Sequence, residues 1–131
     1  MIDSATLIHA IQQNTPDLLA IYAFGSQIQG TANSDSDLDL AVLVSGYAEP
    51  LQLWSLSSDL ADIVNRPVDL LDLRAASTVM QYQVITTGER WWAKDAQAAL
   101  YESVILSEKT ALDSARMQLM DDIQKRGNIY G

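Results

Sequence analysis

Two short apolar runs with an unusual junction between them constrain this chain more than anything else in it. Leu18–Phe24 ends in Gly25-Ser26, and Leu38–Val44 opens with Asp37-Leu38-Asp39. Runs of this length, rich in Leu, Ile and Val, read as buried strands. A strand that ends in Gly-Ser turns tightly and bares backbone N–H groups, an arrangement that suits a phosphate. A strand that begins Asp-x-Asp places both carboxylates on one face, because side chains alternate with period two. Their Cα atoms then lie roughly 7 Å apart at about 3.3 Å of rise per residue, so both can converge on a metal. Hard oxygen ligands of this kind select Mg²⁺ or Mn²⁺. Phosphate cradle and metal carboxylates together imply nucleotide chemistry.

The other elements follow from periodicity and punctuation. Residues 3–14 form a short helix with Leu7, Ile8 and Ile11 as its stripe. The first turn after Ser26 is helical, and Ser45-Gly46 turns the chain after the second strand. A helix over 49–65 carries Leu53, Leu56, Leu60, Ile63 and Val64 at helical spacing, and Arg66-Pro67 stops it. Val68–Leu73 is a third strand. Ser77 caps a helix to Thr87 with Gly88 as its C′ residue, and Glu89–Ala93 is a short strand. Asp95 starts a long helix ending at Gly127, with Leu100, Val104, Leu112, Ala115, Leu119 and Ile123 along one face. This order gives a single α/β or α+β domain with a small sheet, residues 1–95 forming its body and 96–131 a C-terminal helix and tail of the same domain.

Composition narrows the function. The chain has 131 residues, no cysteine and a single histidine, His9. Thiolate metal sites and cysteine nucleophiles are thereby excluded, as is a multi-histidine zinc cluster. A net charge of −9 argues against a general polyanion-binding surface but not against ATP with bound metal. No apolar run approaches the ~18 residues of a membrane span and no secretion signal is visible, so the expected location is cytoplasmic, without membrane or direct nucleic-acid partners. An EF-hand reading of the aspartates fails: counted from Asp35, Leu40 and Gly46 stand where glycine and glutamate are required. His9 reads as a surface residue. Trp54, Trp91 and Trp92 read as core or interface, and Arg66, Arg74 and Lys94 as ordinary surface charges, with triphosphate contact as the alternative.

Gly25-Ser26, ten residues of loop, Asp37-x-Asp39, a helix and then Asp69 on the next strand resemble the nucleotidyltransferase signature shared with DNA polymerase β. The length and the Pro67–Leu73 stretch resemble the minimal nucleotidyltransferases, and within these the MntA antitoxins of HepT/MntA toxin–antitoxin pairs. The resemblance implies a polymerase β-like fold, a small mixed sheet flanked by helices, and adenylyl transfer from ATP with two metal ions, Mg²⁺ or Mn²⁺. It implies that Gly25 and Ser26 hold the triphosphate. It implies that Asp37, Asp39 and Asp69 are the metal ligands and catalytic residues, Asp69 accepting the proton of the attacking hydroxyl. Strand phase favours Asp69 over Asp72 as the third carboxylate, since the two point to opposite faces.

The resemblance also implies an acceptor: a tyrosine hydroxyl on a HEPN-type (HepT-like) ribonuclease toxin, bound as a hetero-oligomer. One long helix and a short tail after residue 95 are too little to build an acceptor pocket, which agrees with an acceptor carried by another protein. Two alternatives stand beside this: an antitoxin that acts by contact alone, and transfer to a small molecule such as an antibiotic.

Overall fold

A computed structural model describes residues 4–25 and 37–130, with backbone alone at 112 and 122–130. The expected helical turn after Ser26 lies outside the described residues. The elements are α1 (Ser4–Asn14), β1 (Leu18–Phe24), β2 (Leu38–Val44), α2 (Pro50–Val64), β3 (Val68–Asp72), a 3₁₀ turn (Leu73–Ala75), α3 (Thr78–Thr87), β4 (Glu89–Ala93) and α4 (Gln97–Tyr130). The strands form one mixed sheet in the order β3-β2-β1-β4. β1 pairs antiparallel with β2 and with β4. β2 and β3 run parallel, as the intervening crossover helix α2 requires.

Alternation along the strands feeds two cores. Leu38, Leu40, Val42 and Val44 of β2 join Ile21 of β1 and Leu70 of β3 beneath Leu7 and Ile11 of α1 and Leu56 and Leu60 of α2. Ala41 and Leu43 join Leu19, Ala20 and Tyr22 of β1 against Leu73, Val84 of α3 and Ala98 of α4. Helices thus cover both sheet faces, and the central strands β1 and β2 are apolar apart from the Tyr22 hydroxyl and Asp39. Among the described residues no helix is long and apolar enough to cross a membrane.

Local chemistry sets the boundaries. The Glu49 carboxylate accepts from Gln52 N–H at 2.8 Å at the start of α2. Asn65, with φ +55°, ends that helix in the left-handed region, where Asn is tolerated. Ser77 Oγ accepts from Met80 N–H at 3.1 Å and opens α3.

Four expectations are corrected. The third strand stops at Asp72, whose carboxylate accepts from Arg74 N–H at 3.1 Å and turns Leu73 into the 3₁₀ segment. Gly88 is the C-cap of α3 rather than the residue after it, and is extended; it is glycine because a Cβ there would lie 2.5 Å from Ala23 O and 2.6 Å from Val84 O. The last helix starts at Gln97, with Asp95 accepting from the Gln97 N–H at 2.9 Å, and continues through Gly127 to Tyr130. Among the described side chains its expected apolar stripe is open to solvent: Leu100 is 66% and Val104 52% exposed, while Ala98 and Ile105 are buried.

Candidate active site

β1 ends where β2 begins, and the antiparallel register sets Phe24 opposite Asp39. The chain leaves β1 through Gly25 at φ +82°, a conformation that residues with a Cβ rarely adopt. A Cβ at Gly25 would also overlap the Asp39 carboxylate. Glycine meets both demands, so the bare backbone of the turn lies against that carboxylate. On the other side of β2 the parallel register sets Asp39 beside Asp69. Paired strands run about 4.8 Å apart, and the two side chains share a sheet face. A backbone bond from Leu38 N–H to Pro67 O at 2.9 Å fixes the starts of both strands together. Asp37 stands exposed just before β2. Ser26 lies outside the described residues.

These carboxylates feel one another. Burial, followed by the negative charges of Asp69 and then Asp37, holds the Asp39 carboxyl above its ordinary range. Each of these influences opposes ionisation, and none of them is a positive charge. That is the electrostatic demand a divalent cation meets, and carboxylate oxygens are the ligands Mg²⁺ prefers. The donor set therefore fits a metal. The three side chains are not drawn into a finished shell, however: among the described residues no three His, Cys, Asp or Glu groups stand ready to hold an ion.

Asp72 does other work. Its carboxylate accepts from Ala48 N–H at 2.8 Å and from Arg74 N–H at 3.1 Å, tying the loop before α2 to the end of β3. Arg74 donates to Val44 O at 3.3 Å and lies 5.0 Å from the Tyr101 ring centroid, at the opposite end of the strands from Asp39. Lys94 is at that far end too, its N–H bonded to Leu19 O at 2.9 Å. Arg66, half-buried just before β3, is on the Asp39 side. His9 and Trp54 are exposed, whereas Trp91 and Trp92 pack against the core.

One feature beside the site is absent from the strand motifs. A cleft of about 550 Å³ runs between α2 and β3, walled by Pro50, Trp54, Ser58 and Ala61 on the helix and by Val68 and Asp69 on the strand. The sequence carries a signal for it. Pro50, Trp54, Ser57, Ser58 and Ala61 recur at helical spacing on a face apart from the Leu56–Leu60 stripe.

A mixed sheet with glycine at one strand end and paired aspartates on the next two strands is the arrangement of a nucleotidyltransferase. The chain belongs to that family: residues 6–97 match the model described as "Polymerase beta, Nucleotidyltransferase". It is similar to the protein adenylyltransferase MntA of Shewanella oneidensis, with 37% identity over 117 residues, 89% of this chain and 84% of the relative. A crystal structure of a toxin–antitoxin with AMP-PNP contains a chain of similar fold, with TM-score 0.82 and 35% identity over 94% of this chain and 99% of the other. A structure of a tri-AMPylated Shewanella oneidensis HEPN toxin in complex with an MNT antitoxin gives TM-score 0.73 and 33% identity, covering 92% of this chain and 94% of that one.

Proposed function

We propose that this protein is an antitoxin-type protein adenylyltransferase that moves AMP from ATP to a tyrosine hydroxyl of a HEPN-type ribonuclease toxin. The observation that carries the reading is the pairing of Asp39 with Asp69 beside the Gly25 turn, in a chain similar along most of its length to MntA. Residues 1–95 act as the transfer domain, with 96–131 as a helix and tail of the same unit. A cytoplasmic location goes with this role.

The residues divide the task. Gly25 lets backbone N–H groups approach the triphosphate, and the Ser26 hydroxyl holds its outer phosphates. Asp37, Asp39 and Asp69 hold two metal ions. Bound there, Mg²⁺ supplies positive charge to the α-phosphate and the departing pyrophosphate. Asp69, exposed on the edge strand, takes the proton of the acceptor hydroxyl as its oxygen bonds the α-phosphorus and the bond to the β-phosphate oxygen breaks. Pyrophosphate leaves, and AMP remains ester-linked to the acceptor. Positioning and charge supply most of the rate in such transfers. The added negative charge beside an RNase active site repels RNA phosphates.

Asp39→Asn tests the reading with two measurements. Labelled AMP on the toxin should fall by about 10³-fold or more, in line with the loss of a metal-binding charge. In Mg²⁺-free buffer the thermal midpoint should hold or rise, because burial and like charges penalise the ionised Asp39. The gain that Mg²⁺ with a non-hydrolysable ATP analogue gives wild type should vanish. Undiminished transfer rejects the assignment.

A further inference from the structure

The cleft beside Asp69 is not accounted for by nucleotide binding. Among the described residues its walls carry no Lys or Arg, so it offers no positive charge to a triphosphate. Its helical side combines a proline, a tryptophan and a floor of two serines and an alanine. Trp54 is 77% exposed, a large apolar surface that a solvated helix face does not require. β3 is the sheet's edge, with β2 on one side and no strand on the other among the described residues. The cleft is therefore bordered by alternate backbone N–H and C=O groups with no strand partner, and Asp69 belongs to that same strand.

We propose that this cleft receives the acceptor segment of the toxin, an extended stretch of neutral or basic character flanking the modified hydroxyl, with Trp54 as its apolar anchor. The proposal rests on the protein adenylyltransferase reading and adds to it the path by which the acceptor reaches Asp69. The segment lies along the free edge of β3, where main-chain hydrogen bonds set its register and a side-chain contact sets its position. From Trp54 to Ala61 the helix advances about 10 Å at 1.5 Å per residue, the reach of about three extended residues. The residue against Trp54 is thus an apolar one about three positions from the acceptor hydroxyl, an odd spacing that puts the two on opposite faces of the added segment, as Trp54 is on the α2 side of the sheet and the Asp39 and Asp69 side chains are on the other. Acidic Asp59 and Asp62 occupy other exposed positions of α2, so a basic flank is favoured over an acidic one.

The experiment measures AMP transfer to the purified HEPN-type toxin at saturating ATP and varied toxin, for wild type, Trp54→Ala and Ser58→Trp. Calorimetry gives ATP affinity for each. Both positions are exposed on a helix, where neither change disturbs the core. Trp54→Ala should raise KM for the toxin about tenfold while kcat and ATP affinity stay within about twofold. Ser58→Trp, which fills the floor, should raise it at least as much. An unchanged KM in both variants overturns the proposal. A loss of ATP affinity in step with KM also overturns it, and makes the cleft part of the nucleotide site. If wild type transfers no AMP to the toxin, the function proposed above fails instead. Toxin binding then decides the cleft alone, and an unchanged dissociation constant for Trp54→Ala rejects it.

Discussion

Asp69 and Asp72 share a strand and a charge but not a role. Asp69 stands exposed beside Asp39, whereas Asp72 accepts two backbone N–H bonds. Asp69→Ala should lower the transfer rate by several orders of magnitude and leave the denaturation midpoint nearly unchanged. Asp72→Ala should do the reverse. Two charge-assisted bonds lost cost about 3–6 kcal/mol, yet the rate of the folded fraction should remain close to wild type. Transfer kinetics alongside urea denaturation separate the two, and a dead but stable Asp72→Ala would reverse the roles. At this scale the sequence was informative because Asp39 is out of place: a carboxylate inside an apolar strand demands a reason. The alternation that put Asp69 and Asp72 on opposite faces was also legible. That Asp39 resists ionisation was not, because it arises first from burial and then from Asp69 on another strand ahead of nearby Asp37, and no local pattern encodes the first two. The role of Asp72 as a clamp on Ala48 was hidden for the same reason.

Between elements, the most telling polar contact is that of β1 with α4. Tyr22, 1% exposed, donates its hydroxyl to Glu102 Oε2 at 3.0 Å, and Arg90 Nη1 donates to the same oxygen at 2.6 Å. Burial first, and then the Glu102 charge, push the Tyr22 hydroxyl well above its ordinary pKa. In the unfolded chain tyrosine ionises near pH 10. Above that pH the unfolded state loses a proton that the native state keeps, so stability falls as pH rises. Tyr22→Phe should cost about 1 kcal/mol at neutral pH and flatten the decline above about pH 10. Urea midpoints at about pH 8 and pH 10.5 measure both, and parallel declines would show that Tyr22 is not the group responsible. Strands and caps were readable because their signals are local: alternation in β2, Ser77 before α3. The packing of α4 was not. An apolar stripe says that a face avoids water but not what covers it, and Leu100 and Val104 are exposed while small Ala98 meets the sheet.

On the scale of the whole molecule, α4 outruns the body that supports it. Its 34 residues extend about 50 Å at 1.5 Å per residue. Its main contacts are with α3 and β1, and Met117, Leu119 and Met120 are all more than half exposed. Adaptable methionines beside charges suit a protein contact. Truncation after Leu112 should weaken toxin binding by about tenfold or more and leave ATP affinity and the thermal midpoint nearly unchanged. Calorimetric titrations of both ligands, after circular dichroism confirms folding, test this; equal toxin affinity would make the segment scaffold only. The pairing of Asp39 with Asp69 has a different consequence. Gly25, Asp39 and Asp69 come from three strands and meet only through register, and a slip of one residue would turn Asp39 to the opposite face. If these residues carry the transfer as proposed, a nascent chain cannot own part of it: until the crossover through α2 has brought β3 onto β2 the chain would be chemically silent, and the onset of transfer during synthesis would time the closure of that parallel pair.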